Sequence, residues 1–206
     1  MNELPERIPL FPLPNVVLFP QMPMPLHVFE PRYRKMVLDV RRTHQTIGMV
    51  LLRPGWEPLY YGRPPIFAVG CAGRLEQCED LPDGRFNIVL RGQVRIHIRD
   101  EHSREPYRVA TVEPHPEALV PLETLDRARQ DLITAIEKAS EQEVVSLHGP
   151  LPPDLFVNAL CQSLDLAPLE RQSLLNCNDV LARAKRLIEL LAFKRLERQS
   201  GSTKLH

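Results

Sequence analysis

The sequence predicts an α+β protein, a closed or partly closed barrel of mostly antiparallel strands followed by a small helical bundle. Three observations predict it. Apolar residues recur at every second position over Phe86–Leu90 and Val94–Ile98, the period of half-buried strands, within a stretch over 7–116 that reads as strand, turn and extended chain. After residue 121 they recur at helical spacing instead. Prolines outnumber glycines 21 to 9 and gather in the first third, where they favour stiff extended chain over long helices.

The elements follow in order. Tyr33, Met36, Val37 and Val40 fall at helical spacing, and Pro31 suits a first helical position because its φ is already set. Thr46–Leu52 and Ala68–Glu79 are extended. Phe86, Ile88 and Leu90, then Val94, Ile96 and Ile98, alternate with polar residues, and Asp83-Gly84 is a strong hairpin turn before them. Tyr107–Val112 adds a further strand. The Pro-rich connections and scarcity of helix point to a barrel.

Helical stripes run through Leu122, Leu125, Leu132, Ile133 and Ile136, then Leu155, Phe156, Ala159 and Leu160. A third runs through Leu181, Ala184, Leu187, Ile188 and Leu191, with Asn178 as its expected N-cap. A short helix over Pro168–Leu175 sits between the last two, completing a small bundle. His115-Pro116 and Val120-Pro121 break the chain between the halves. These signals give a β-rich subdomain over 1–117, a bundle over 118–198 and a flexible tail over 199–206.

The 206 residues are long enough to bury a sizeable core, and 43% hydrophobic with 25% charged is ordinary for a globular protein. Lys+Arg and Asp+Glu both number 26, so no net field draws the chain to nucleic acid or anionic lipid. The apolar N-terminal stretch is cut by Pro9, Pro12, Pro14 and Pro20, which argues against a signal peptide or membrane helix and predicts a cytoplasmic protein. In a reducing compartment Cys71, Cys78, Cys161 and Cys177 read as small core side chains.

Catalytic signals are weak. Zinc sites usually pair close ligands on one turn, and Cys71 and Cys78, with His97 and His102 downstream, lack that spacing, so no metal is expected. There is no phosphate loop, no G-x-G-x-x-G and no nucleophile elbow, so no cofactor is expected either. Ser103 follows His102 directly, and neighbours on a strand point opposite ways.

Two surfaces remain as candidates for binding. Arg91, Gln93, Arg95, His97 and Arg99 would share one strand face, either a basic stripe for RNA or the wet side of a sheet neutralised by acids. Met22 and Met24 in a Pro-rich loop, with Trp56, Tyr60 and Tyr61 in the segment 53–65, are large apolar groups on expected loops. They are either folded onto the core or offered to a partner.

IPLFPLPNVVLFP at residues 8–20 and MPLHVFEPRY at 24–33 resemble the opening of Lon protease N-terminal domains. IGMVL at 47–51, VGCAG at 69–73, Asp83-Gly84, LRGQVRI at 90–96, RQSLL at 171–175 and the helix over Leu181–Leu191 extend that resemblance over nearly the whole chain. It implies a PUA-like pseudo-barrel followed by a helical bundle. It further implies a free-standing, non-catalytic module that recognises unfolded or partner polypeptides, without Lon's ATPase and Ser–Lys peptidase modules. Met22, Met24, Trp56, Tyr60 and Tyr61 are the expected polypeptide-binding residues. Glu30, Pro31, Arg32 and Tyr33 are expected to act structurally, tying their helix to the barrel. An RNA-associated protein using the Arg91–Arg99 face, or an unrecognised hydrolase, is the alternative.

Overall fold

In the computed structural model, which describes residues 4–102, 106–139 and 151–202, the chain divides into two compact units. The first comprises Met1–Pro116 with Ala167–Leu175, and the second Glu117–Leu166 with Asn176–His206.

The first unit holds strands β1 (Arg7–Leu13), β2 (Pro23–Val28), β3 (Thr46–Leu51), β4 (Val69–Asp80), β5 (Phe86–His102) and β6 (Arg108–Pro114), with helix α1 (Pro31–Arg41) after β2. Their order is β2-β5-β4-β3-β1-β6, and β5 also pairs with β6. That second pairing closes β5, β4, β3, β1 and β6 into a ring, so a long strand serves both the barrel and the β2 ribbon. All pairs are antiparallel except β1 with β3, where Leu10 faces Gly48 and Leu13 faces Leu51. β5 reaches round the ring because its register slips against β4 near Gly92 and against β6 beyond Ile98, and bulges bend a strand.

β2 occupies what the sequence presents as a Pro-rich loop. Pro23 and Pro25 alternate, so their missing N–H groups lie on one side of the strand. β2 ends the sheet, and that side is its open edge, where proline is tolerated. The turn before it clasps Gly92: Gln21 N donates to the Gly92 carbonyl (2.9 Å), and Gly92 N donates to the Met22 carbonyl (3.0 Å). A Cβ at Gly92 would sit 2.1 Å from the Phe19 carbonyl oxygen. Gly92→Ala is therefore expected to cost about 2 kcal/mol, because backbone cannot swing aside as a side chain can. A thermal melt lowered by about 4–8 °C would bear this out; an unchanged midpoint would contradict it.

Two apolar clusters fill this unit. One gathers Phe11, Leu18, Tyr33, Met36, Val37, Met49 and Phe86 beneath α1, and the other Ile8, Leu10, Val50, Ile96 and Val112. Helix α4 (Pro168–Leu175), expected in the bundle, belongs to this unit. Besides the buried Leu174 and Leu175, polar bonds attach it: Gln172 Nε2 donates to the Val69 carbonyl (3.0 Å), and Arg95 Nη1 to the Leu175 carbonyl (3.0 Å). Nothing in helical periodicity announces such bonds.

The second unit packs α2 (Leu122–Ala139), α3 (Pro153–Ser163) and α5 (Val180–Ser202) on one another. Leu125, Leu132, Ile136, Phe156, Leu160, Ala184 and Leu187 form its core. Asp179, rather than Asn178, caps α5, its Oδ1 accepting from Ala182 N at 2.7 Å. The helix runs on through Ser202, into the expected tail over 199–206, whose residues 203–206 lie outside the described residues.

Candidate functional site

The residues at 30–33 begin α1, and their chemistry explains why the chain 53–65 lies where it does. Pro31 starts the helix, and the Glu30 carbonyl accepts from Tyr33 N and Arg34 N, so the Glu30 side chain is left for other work. One carboxylate oxygen accepts from the Tyr60 hydroxyl at 2.5 Å. The other accepts from Arg32 Nε at 3.1 Å, within an ion pair whose side chains are only 20% and 17% exposed. Arg32 Nη1 donates to the Tyr60 carbonyl (3.2 Å), and its guanidinium lies over the rings of Tyr33 (4.6 Å) and Tyr60 (5.0 Å). Glu30, Arg32 and Tyr60 thus clamp the 53–65 segment to the helix start. Burial, then the bond to Glu30, holds the Tyr60 phenol above its ordinary value.

Below the clamp lies a cleft of about 150 Å³. α1 contributes Arg32 and Tyr33, strand ends contribute Pro12 and Leu52, the clamped segment contributes Tyr60 to Pro64, and the approach to β6 contributes Pro106, Tyr107 and Arg108. Tyr33 lies under the cleft, 3% exposed, with its ring 4.5 Å from that of Phe11. Arg108 Nη1 donates to the Pro64 carbonyl, and the same guanidinium pairs with Glu101, so the far wall is held as firmly as the near one. Trp56, Tyr60 and Tyr61 form a row of edge-on rings, 5.4 and 5.2 Å apart. Tyr61, at the cleft, is 90% exposed, and Leu59 on the same segment is half exposed.

The five residues read as apolar contacts therefore part company. Tyr60 and Tyr61 line the cleft; Trp56 is half-buried behind them and does not. Met22 is core, because the turn at Gln21, with φ of 65°, folds it inward. Met24 is half-buried on β2 and packs against the larger cluster. Proline content marks both methionines as loop residues, and strand pairing is invisible to it. Arg63, Tyr107 and Arg108 come from stretches with no motif, and no local signal marks them as neighbours of Tyr33.

The Arg91–Arg99 face does not form a continuous stripe. The slip in register near Gly92 interrupts the alternation that would put these side chains on one side. Arg91 pairs with Glu76 and donates to the Gln21 carbonyl, and Arg99 pairs with Glu113. Arg95 is 1% exposed. Cys161 is fully buried and burial pushes its thiol up to about 12, so it carries no thiolate at neutral pH. His102 bonds Thr111 Oγ1 (2.9 Å), while Ser103 lies outside the described residues. Among the described residues no group of His, Cys, Asp and Glu could hold a metal ion, and no helix is long and apolar enough to cross a membrane.

Comparison with known proteins gives a consistent answer. The family model of the ATP-dependent protease La (LON) substrate-binding domain matches residues 7–192. A Lon protease of Roseiflexus castenholzii is 30% identical over 94% of this chain, and Lon protease 2 of Herpetosiphon aurantiacus is 29% identical over 90% of it. The chain spans only about a quarter of those relatives, 25% and 24% of their lengths. Among solved structures, a Lon N-terminal domain protein from Xanthomonas campestris superposes with a TM-score of 0.59 at 28% identity, covering 90% of this chain and 97% of its own. The N-terminal domain of Mycobacterium avium complex Lon protease shares the fold, with a TM-score of 0.69 at 16% identity, covering 90% of this chain and 98% of its own.

Proposed function

Because the chain belongs to the Lon substrate-binding domain family, we propose that it is a non-catalytic module that binds other polypeptides, with the cleft beside residues 53–65 as its contact surface. The observation that carries this reading is the mouth of that cleft. Tyr61 and Leu59 stand exposed on a segment that an ion pair and the half-buried Tyr60 hydroxyl hold in place. A rigid aromatic on a fixed loop loses little entropy when a partner covers it, and tyrosine is enriched where binding energy concentrates. An extended client loses conformational freedom on binding, so micromolar affinity is expected.

The test is a titration of an unfolded, reduced client protein against the purified chain, followed by anisotropy. Tyr61→Ser and Leu59→Ser are expected to weaken binding about fivefold to tenfold, a loss of about 1 kcal/mol. Their melting points should stay at the parent value, since both side chains are exposed in the free protein. Unchanged affinity in both variants would remove this cleft as the site. Cleavage of the client or ATP turnover that survives further purification would overturn the non-catalytic reading.

A further inference from the structure

The cleft has a surplus of hydrogen-bond donors. The carboxylates beside it are in use, the Glu30 oxygens by Tyr60 and Arg32 and the Glu101 oxygens by Arg108, and so are the Tyr60 and Pro64 carbonyls, by the same two arginines. Each guanidinium carries more N–H groups than those bonds occupy. The Tyr33 hydroxyl has no hydrogen-bond partner among the described residues, although the residue is 3% exposed and lines the cleft. Burial raises that phenol, so it stays a neutral donor. Charge is also in surplus. Glu30 and Glu101 offset Arg32 and Arg108, while Arg63 lines the same cleft with no ion pair among the described residues.

A donor-rich site with one positive charge uncompensated among the described residues suits a monoanionic acceptor better than a phosphate, which carries more charge than Arg63 alone can balance. The volume, about 150 Å³, is that of a cavity that admits a single benzene-sized guest. It takes one residue, not a length of chain. Pro12, Leu52 and Pro64 add apolar wall beside the donors. A C-terminal residue carries a carboxylate and an apolar side chain on the same Cα, whereas an acidic side chain offers only methylenes.

Building on the polypeptide-binding reading, we infer that this cleft captures the C-terminal residue of a client, its carboxylate accepting from the Tyr33 hydroxyl and facing Arg63, its apolar side chain against the prolines. The Tyr33 hydroxyl is then a specificity-determining group that the free protein does not need for stability, while the ring stays part of the core.

The experiment uses a short, N-terminally labelled peptide that lacks Asp and Glu and ends in leucine, titrated into the whole chain as free acid and as C-terminal amide. A third arm is the amide with one internal glutamate. The free acid is expected to bind at least about tenfold more tightly than the amide, the usual gain of a charge-assisted hydrogen bond. Tyr33→Phe, which keeps the ring packed on Phe11, should close that gap without moving the melting point, and Arg63→Gln should narrow it. Should Tyr33→Phe fail to fold, the exposed Arg63→Gln decides alone. Equal binding of acid and amide, both weakened by Tyr61→Ser, overturns the carboxylate site and leaves the polypeptide-binding reading standing. A glutamate-bearing amide that matches the free acid overturns it in favour of acidic side chains. Failure of every peptide and of the unfolded client defeats both.

Discussion

Replacing Glu117 by glutamine is expected to destabilise the helical unit by about 3–4 kcal/mol. Arg183 on α5 is fully buried in that unit. Its guanidinium donates to Asn158 Oδ1 on α3 at 2.5 Å and pairs with the Glu117 carboxylate. Glutamine keeps the size and an acceptor oxygen and removes only the counter-charge. A guanidinium left in a dry interior with a neutral partner retains its desolvation cost without the attraction that offsets it. The loss should therefore far exceed that of an exposed ion pair, which is worth at most about 1 kcal/mol. Denaturant unfolding followed by far-UV ellipticity reads the helices, and Trp56, the one tryptophan, reads the barrel separately by fluorescence. The ellipticity transition should move to lower denaturant. Replacing Glu117, Asn158 and Arg183 together by apolar residues of similar volume should recover much of the loss, because the buried charge goes with its partner. A single variant as stable as the parent would show that Arg183 does not depend on Glu117.

Replacing Arg95 by alanine is expected to cost about 3 kcal/mol in the barrel unit. The side chain is 1% exposed and donates to the Leu175 carbonyl at 3.0 Å and the Pro116 carbonyl at 3.5 Å. Truncation leaves two carbonyls without this donor and a void where the aliphatic stem packed; each orphaned acceptor alone costs about 1–3 kcal/mol. Removing the buried charge gives some of this back, which keeps the total below the sum. Arg95→Met restores the stem without the donors and should fall between parent and alanine. Trp56 fluorescence is the probe, and an alanine variant with the parent's midpoint would mean that these bonds do not hold α4.

The same residue shows how far sequence reasoning reaches. Arg95 reads as one member of a basic strand face, since alternation assigns each residue a side. One slip in register near Gly92 interrupts that assignment and leaves the guanidinium to reach carbonyls far along the chain. Alternation is a local property; a bulge is decided by what the neighbouring strand requires. Met22, expected either at a binding surface or folded onto the core, is buried for a similar reason. Its prolines mark extended chain correctly, while the clasp on Gly92 that turns it inward involves residues about seventy positions away.

Other features were legible because their causes are local. Pro31 opens α1, Asp83-Gly84 makes its turn with Gly84 at φ of 76°, and the stripes of α2, α3 and α5 supply most of the faces they bury, although Leu122 at the start of α2 is 70% exposed. The FEPRY segment could be recognised as a unit, and its tyrosine and arginine do sit at a helix start. What it clamps could not be read, because Tyr60 lies 30 positions from Glu30 and no periodicity connects them. Composition, periodicity and motif determined the α+β class, most of the elements and the family resemblance, for these depend on neighbours along the chain. Ring closure through β5, the placement of α4 with the barrel and the gathering of Tyr33, Arg63 and Arg108 around one cleft were decided only in three dimensions. There, long-range pairing sets which distant side chains must share their hydrogen bonds.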